Sequence, residues 1–127
     1  MGQVVAAAAY HKGRKVADIA LDEGQQWAAR PEHFVWIGLR DPGSSELHTL
    51  QEQFGLHELA MEDAIAQHTR AKLEIFGDAL FMVLYSPIRK DGCLEFVETQ
   101  LFAGKGYVIS ARYGNSAPYS TVRQRCE

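Results

Sequence analysis

The chain has 127 residues, which is the length of a single domain with its own hydrophobic core, and we treat residues 1–127 as one domain. Its hydrophobic fraction of 46% and charged fraction of 23% are ordinary for a folded protein, and its net charge of −3 argues against nucleic acid as a partner. Two cysteines are too few for a disulfide framework. No apolar run reaches the roughly 18 residues of a membrane-spanning helix, and the N-terminus lacks the positive charges of a signal peptide. The sequence therefore predicts a soluble unit.

The first part of the chain predicts a hairpin followed by a short helix. Residues 4–10 and 15–21 have the composition of strands and are joined by a polar turn that contains glycine. Asp22 is a suitable cap for a helix that runs to Ala29, and the helix must end there because the residue before Pro31 disfavours helical backbone.

An apolar strand and two helices are predicted next. Residues 34–39, with the sequence FVWIGL, are apolar throughout, which indicates a strand covered on both faces rather than one at the edge of a sheet. Asp41 and the proline that follows it favour the start of a helix, and Gly55 suits the left-handed position just after its last turn. A second helix is predicted over residues 56–66.

Four further strands are predicted over residues 73–75, 79–85, 94–102 and 107–112. Together these elements predict an α+β fold, in which helices pack on a mixed β-sheet. The side chains that we expect to be largely buried are Phe34, Val35, Trp36, Ile37, Leu80, Phe81, Val83 and Leu84.

Glu62 and Asp63 form an adjacent acidic pair near the end of the second helix, and His68 follows within a few residues. At about 100° per residue, Asp63 falls with Leu56, Leu59 and Ala60 on an apolar face, whereas Glu62 lies on a polar face. A lone carboxylate on an apolar face is expected to be paired, to ligate a cation or to lie between chains. Carboxylates beside an imidazole are donors for a divalent-cation site.

Each of these residues also has a structural interpretation. An internal ion pair with Arg70 or Lys72 is the alternative for Asp63, a solvated helix face is the alternative for Glu62, and a solvent-facing loop is the alternative for His68. The sequence has no zinc-protease, dinucleotide-binding, phosphate-loop or serine-hydrolase motif. One helix end offers too few convergent groups for a metal-dependent hydrolase, so we predict that the chain is not an enzyme.

Three segments carry a family resemblance: FVWIGL with the Asp-Pro helix start after it, FGLHELAMEDAIAQHTRAKLEIFGDALFMVL, and ETQLFAGKGYVISARYG. The most specific part is Leu-x-x-Glu-Asp followed by His-x-Arg-x-Lys. In this order the segments resemble the cytoplasmic N-terminal domain of the CorA family of magnesium and cobalt channels. Family members usually have a proline where this chain has Ala71 and a glutamine where it has Thr69.

The resemblance implies an αβα layered domain, truncated before the stalk helix, of a homopentameric channel that senses Mg²⁺ at the cytoplasmic face of the cell membrane. By position, Asp63 matches an aspartate of the family's regulatory site at the subunit interface, and Glu62 and His68 match residues of a second, nearby metal site. The implied ligands are Mg²⁺ and, as a second cation, Co²⁺. The family's partner carboxylates lie on later helices that this chain lacks, so we expect the chain alone to be a monomer or a weak dimer.

Two other functions stay open at this point. The chain could be the same domain of a zinc-transporting member, because His68 alone does not decide between magnesium, which prefers oxygen ligands, and zinc, which favours histidine and cysteine. It could also be a structural docking domain that binds no metal.

Overall fold

The computed structural model describes residues 3–65 and 71–113 of the chain, and these residues form seven strands and three α-helices. The strands are β1 (Gln3–His11), β2 (Arg14–Asp18), β3 (His33–Arg40), β4 (Lys72–Phe76), β5 (Ala79–Lys90), β6 (Cys93–Gly104) and β7 (Tyr107–Arg112). The helices are α1 (Gly24–Ala28), α2 (Ser44–Phe54) and α3 (Glu58–Ile65), with a short 3₁₀ turn (Leu21–Glu23) before α1.

All seven strands belong to one sheet, in the order β2-β1-β3-β7-β6-β5-β4. The pairing of β3 with β7 is parallel, and the other pairings of the described strands are antiparallel. The predicted mixed sheet and α+β class are therefore confirmed. The FVWIGL segment lies in the interior of the sheet as predicted, but the prediction that both its faces are covered is wrong, because Phe34 is 39% exposed.

The core lies between one face of the sheet and the helices. Val35, Ile37 and Leu39 alternate along β3 and are fully buried, as expected for a strand with one covered face. Helix α1 lies very close to α2, since a Cβ atom on Gly24 would come within 2.6 Å of the Phe54 ring. The buried residues of the core are Ala9, Val35, Ile37, Leu39, Leu47, Leu50, Leu56, Ala60, Met61, Phe81, Val83, Phe102, Tyr107, Ile109 and Ala111.

The opposite face of the sheet is apolar but exposed over part of its area, so the predicted burial is wrong for three of the eight side chains. Val35, Ile37, Phe81 and Val83 are buried as predicted, and Trp36 is half-buried, with its indole N–H donating to Ser110 Oγ at 3.2 Å. The prediction was wrong for Phe34, Leu80 and Leu84, which are 39%, 37% and 38% exposed. The reason is that the described helices supply only one of the two helical layers of an αβα arrangement.

The helix starts differ from those predicted. Asp22 lies inside the 3₁₀ turn rather than at a cap, and the backbone N–H of Ala20 donates instead to the Glu23 carboxylate at 2.8 Å. Helix α2 is preceded by Gly43 rather than Asp41, and the Gly43 N–H donates to Glu46 Oε1 at 3.3 Å. The predicted end of α2 is confirmed, because Gly55 has a left-handed conformation with φ of 63°.

Strands β5 and β6 extend beyond their neighbours as a two-stranded arm. They pair as far as Lys90 with Cys93, whereas β7 pairs with β6 only from Thr99 onwards. On this arm Leu94 and Phe96 are 65% and 62% exposed.

The core and the arm give a matched test of this packing. Phe81→Ala should lower the free energy of unfolding by about 3–5 kcal/mol, because it leaves a cavity beside Phe102, whose ring centroid lies 4.9 Å away. Phe96→Ala should lower it by less than about 1 kcal/mol, because that side chain is already in solvent. Urea unfolding followed by tryptophan fluorescence measures both, and equal losses would contradict the position of the core.

Candidate metal centre

Helix α3, which carries the acidic pair, is fixed to the sheet by its first turns. His57 precedes the helix, and its Nδ1 accepts a hydrogen bond of 3.0 Å from the backbone N–H of Leu59, as the side chain of an N-cap residue does. The same imidazole stacks on Phe76 of β4, with ring centroids 4.8 Å apart. Ala60 and Met61 are buried in the core, so this side of α3 faces the sheet.

Glu62 is exposed, as the predicted polar face requires. Of the predicted apolar face, Leu56 and Ala60 are buried, but the prediction is wrong at Leu59, which is 54% exposed, because the buried side of α3 is shifted towards Met61. Asp63 lies on α3 three residues after the buried Ala60 and four after the exposed Leu59, hence near both on the helix surface. Its side chain is outside the described part of the structure.

The remaining predicted site residue, His68, lies outside the described residues, as does Arg70. Lys72, the other candidate partner for Asp63, is described and has a carboxylate partner in its own strand. Its Nζ donates to Glu74 Oε1 at 2.8 Å. Of the three predicted site residues, the structure thus describes only the side chain of Glu62.

The carboxylates of Glu62 and Asp63 on α3 are chemically suitable ligands for Mg²⁺, because this ion prefers oxygen ligands. In residues 3–65 and 71–113, no group of three or more His, Cys, Asp and Glu side chains is arranged to hold a metal ion.

A polar network in the sheet was not predicted from the sequence. The Glu98 carboxylate accepts hydrogen bonds from Tyr85 Oη at 3.3 Å and from Gln100 Nε2 at 2.7 Å. The Gln100 carbonyl oxygen in turn accepts from Tyr113 Oη at 3.2 Å. Gln100 is 1% exposed, and it shares a sheet face with Phe102 because the two are two residues apart in β6. Glu98 and Gln100 occupy alternate positions of β6 in line with Phe102, where an apolar side chain is expected. These two polar residues are the sequence signal that could have revealed the network.

The network also changes the ionisation of its tyrosines. Burial raises the pKa of Tyr113 from its ordinary value of 10.0 to about 12, with smaller contributions from the negative charges of Glu98 and Asp41. Burial, followed by the charge of Glu98, also raises the pKa of Tyr85.

Residues 31–127 match the sequence profile described as CorA-like Mg²⁺ transporter protein. The chain belongs to this family. YfjQ of Bacillus subtilis (strain 168), whose name describes a metal ion transporter, is 28% identical to this CorA-like chain over 92 residues. The alignment covers 72% of this chain but only 28% of YfjQ.

Solved structures of related domains have the same fold. The cytoplasmic domain of ZntB from Vibrio parahaemolyticus superposes with a TM-score of 0.71 at 14% identity, covering 99% of this CorA-like chain and 50% of that one. The soluble domain of CorA from Methanocaldococcus jannaschii gives 0.61 at 13% identity, covering 97% and 46%. The chain thus spans half or less of the proteins it matches, and at these identities the likeness concerns the fold.

Among the helices in residues 3–65 and 71–113 of this CorA-like chain, none has both the length and the hydropathy needed to cross a lipid bilayer.

The raised pKa of Tyr113 predicts a loss of stability in alkali. A group whose pKa is higher in the folded than in the unfolded state contributes stability below the unfolded value and loses it as the pH rises through the folded value. The free energy of unfolding should therefore fall between about pH 10 and pH 12. Tyr113→Phe should make this fall shallower, as measured by urea unfolding at pH 9 and pH 11. An identical fall in the variant would contradict the assignment.

Proposed function

We propose that this chain is the cytoplasmic metal-sensing domain of a homopentameric divalent-cation channel of the CorA family, transporting Mg²⁺ and Co²⁺. The family match over residues 31–127 carries this proposal. The proteins of this family are described as transporters, and we accordingly assign the chain a regulatory role without a catalytic step.

The geometry of α3 supports an intersubunit site. A large apolar side chain such as Leu59 forgoes about 1.5–3 kcal/mol of burial when it stays in solvent, and a second subunit could supply the missing contact. Asp63 lies four residues after Leu59 and is its neighbour on the helix surface. We assign Asp63 to a Mg²⁺ bridge between subunits, and Glu62 together with His68 to a second, nearby metal site.

Gating would follow from electrostatics. Two carboxylates about 4 Å apart repel by about 4 kcal/mol at an effective dielectric constant of about 20. A bound Mg²⁺ ion replaces this repulsion by attraction while keeping most of its water shell. Metal at the interfaces would therefore favour the symmetric closed ring, and loss of cytoplasmic Mg²⁺ would let the subunits separate and the pore open.

The transported ion is a separate question. The fold is shared with the ZntB domain as well as with CorA, and at 14% and 13% identity neither likeness assigns the ion. Uptake of Mg²⁺ and of Zn²⁺ should be measured side by side in the full-length protein. Zn²⁺ uptake without Mg²⁺ uptake would favour the zinc-transporting branch.

Asp63→Asn tests the regulatory assignment. In the full-length channel reconstituted in liposomes, it should keep conduction but make the pore less sensitive to Mg²⁺ on the cytoplasmic side, because the side chain keeps its size and loses its charge. The matched control is Asp78→Asn, since Asp78 is an exposed aspartate in the turn between β4 and β5 and should leave the response unchanged.

The competing assignment for Asp63 is an internal ion pair with Arg70 or Lys72. It predicts that Asp63→Asn lowers the free energy of unfolding of the 127-residue chain, because a cation loses its partner. An unchanged Mg²⁺ response together with a large loss of stability would overturn the regulatory assignment.

The chain by itself should bind Mg²⁺ only weakly and stay a monomer or a weak dimer at micromolar concentration. One or two carboxylates seldom hold a strongly hydrated ion, and the ligands that complete the site would come from other helices. Isothermal titration and analytical ultracentrifugation measure these two properties. A stable pentamer would show instead that this domain carries a complete ring interface.

A further inference from the structure

A pocket of about 410 Å³ lies on the face of the sheet opposite the core, and three aromatic side chains line it: Tyr10 of β1, and Phe34 and Trp36 of β3. Tyr10 and Phe34 are direct partners in the antiparallel register, and Trp36 lies two residues further along β3, so all three project from one face. The buried side chains of Val35 and Ile37 project from the other face. Small-molecule sites occupy roughly 300–1,000 Å³, so a pocket of this size suits a small ligand.

The aromatic walls are held in place by the fold. Tyr10 is 5% exposed, so its ring is packed among other side chains. The indole N–H of Trp36 donates to Ser110 Oγ of β7 at 3.2 Å, which fixes the orientation of that ring. Phe34 is partly exposed and leaves ring surface available for contact. Rings held in this way offer flat apolar surfaces to a ligand with little loss of conformational entropy.

Two opposite charges border the same pocket. Lys12 and Glu32 line it together with Gly13, and Lys12 Nζ lies 3.7 Å from Glu32 Oε2. That carboxylate oxygen is also 3.7 Å from Nε2 of His11, whose ring centroid lies 4.5 Å from that of His33. The Lys12 and Glu32 side chains are largely in solvent, where an ion pair contributes little to stability. Each of the two charges is therefore able to turn towards a ligand.

The backbone at both charged residues is left-handed. Lys12 has φ of 51° in the two-residue turn between β1 and β2, and Glu32 has φ of 61° just before β3. Glycine, asparagine and aspartate are favoured at such positions, whereas long side chains are uncommon there. Residues held in sparsely populated conformations cluster at binding sites. The occurrence of lysine and glutamate at these two positions thus supports a role for their side chains in binding.

We propose that this pocket binds a free α-amino acid with an aromatic side chain. The aromatic group of the ligand would lie among Tyr10, Phe34 and Trp36, where offset and edge-to-face ring contacts are favourable. The carboxylate of the ligand would accept from the Lys12 ammonium, and the ammonium of the ligand would donate to the Glu32 carboxylate. An organic cation alone would be repelled by Lys12 and an organic anion alone by Glu32, whereas a zwitterion is attracted by both.

The site is independent of the acidic pair on α3. Its lining residues lie on β1, in the turn after β1, and on β3 with the residue before it. Failure of amino-acid binding would therefore leave the regulatory assignment of Asp63 unchanged, and the reverse also holds.

Calorimetric titration of the 127-residue chain with L-phenylalanine and L-tryptophan tests the site. The measurement is made at pH 8, where an unprotonated His11 does not compete for the Glu32 carboxylate. Both amino acids should bind at millimolar concentration or below. Phenethylamine lacks the carboxylate and 3-phenylpropanoate lacks the ammonium, so each should bind at least about tenfold more weakly than L-phenylalanine, as expected for the loss of one charge-assisted hydrogen bond.

Two variants separate the charges without endangering the fold. Lys12→Asn and Glu32→Asn each remove one charge, and asparagine tolerates the left-handed backbone, so both variants should fold. Lys12→Asn should weaken L-phenylalanine binding by at least about tenfold without weakening phenethylamine binding, because phenethylamine has no carboxylate to lose. Glu32→Asn should weaken L-phenylalanine binding likewise without weakening 3-phenylpropanoate binding. Phe34→Leu should weaken the binding of all these ligands, because each of them contacts the aromatic wall.

The chain offers matched controls for charge and for ring. Lys15 pairs with Asp18 on β2 at 2.8 Å and lies outside the pocket lining, and Phe96 is exposed on the arm. Lys15→Gln and Phe96→Leu should leave amino-acid affinity unchanged, and circular dichroism confirms that each variant is folded. The proposal is overturned if the unaltered chain binds neither amino acid at millimolar concentration, if the two analogues bind as well as L-phenylalanine, or if Lys12→Asn retains full affinity.

Discussion

The parallel pairing of β3 with β7 joins the N-terminal hairpin to the antiparallel strands β4–β7. Its register places Val35, Ile37 and Leu39 beside Tyr107, Ile109 and Ala111, and all six side chains are buried. A parallel pair cannot be closed by a tight turn, so the chain between these strands must cross over the sheet. That crossing contains α2 and α3, which cover the face of the sheet that carries these side chains.

The same constraint decides what α3 presents to its surroundings. Ala60 and Met61 are committed to the core, and His57 both caps the helix and stacks on β4. Glu62 is consequently directed to solvent, and Leu59 is left exposed. The packing of α3 thus leaves Glu62 and Leu59 available for contacts outside the core.

Carboxylate side chains occupy two different surroundings in this domain. Glu62 is exposed on α3, where its oxygens suit a hydrated ion such as Mg²⁺. The buried network around Glu98 and Gln100 lies in β6, where hydrogen bonds from Tyr85 and Tyr113 satisfy its oxygens.

The sequence by itself determined the features that depend on neighbouring residues. The strand segments, the left-handed glycine at the end of α2 and the polar position of Glu62 follow from local periodicity and turn chemistry, and the structure has all three. Only the tertiary structure decided which apolar surfaces are covered, because periodicity marks two faces of a strand without showing whether helices lie on both. It also brought His11 beside His33, since that contact depends on the register between two strands separated by β2 and α1.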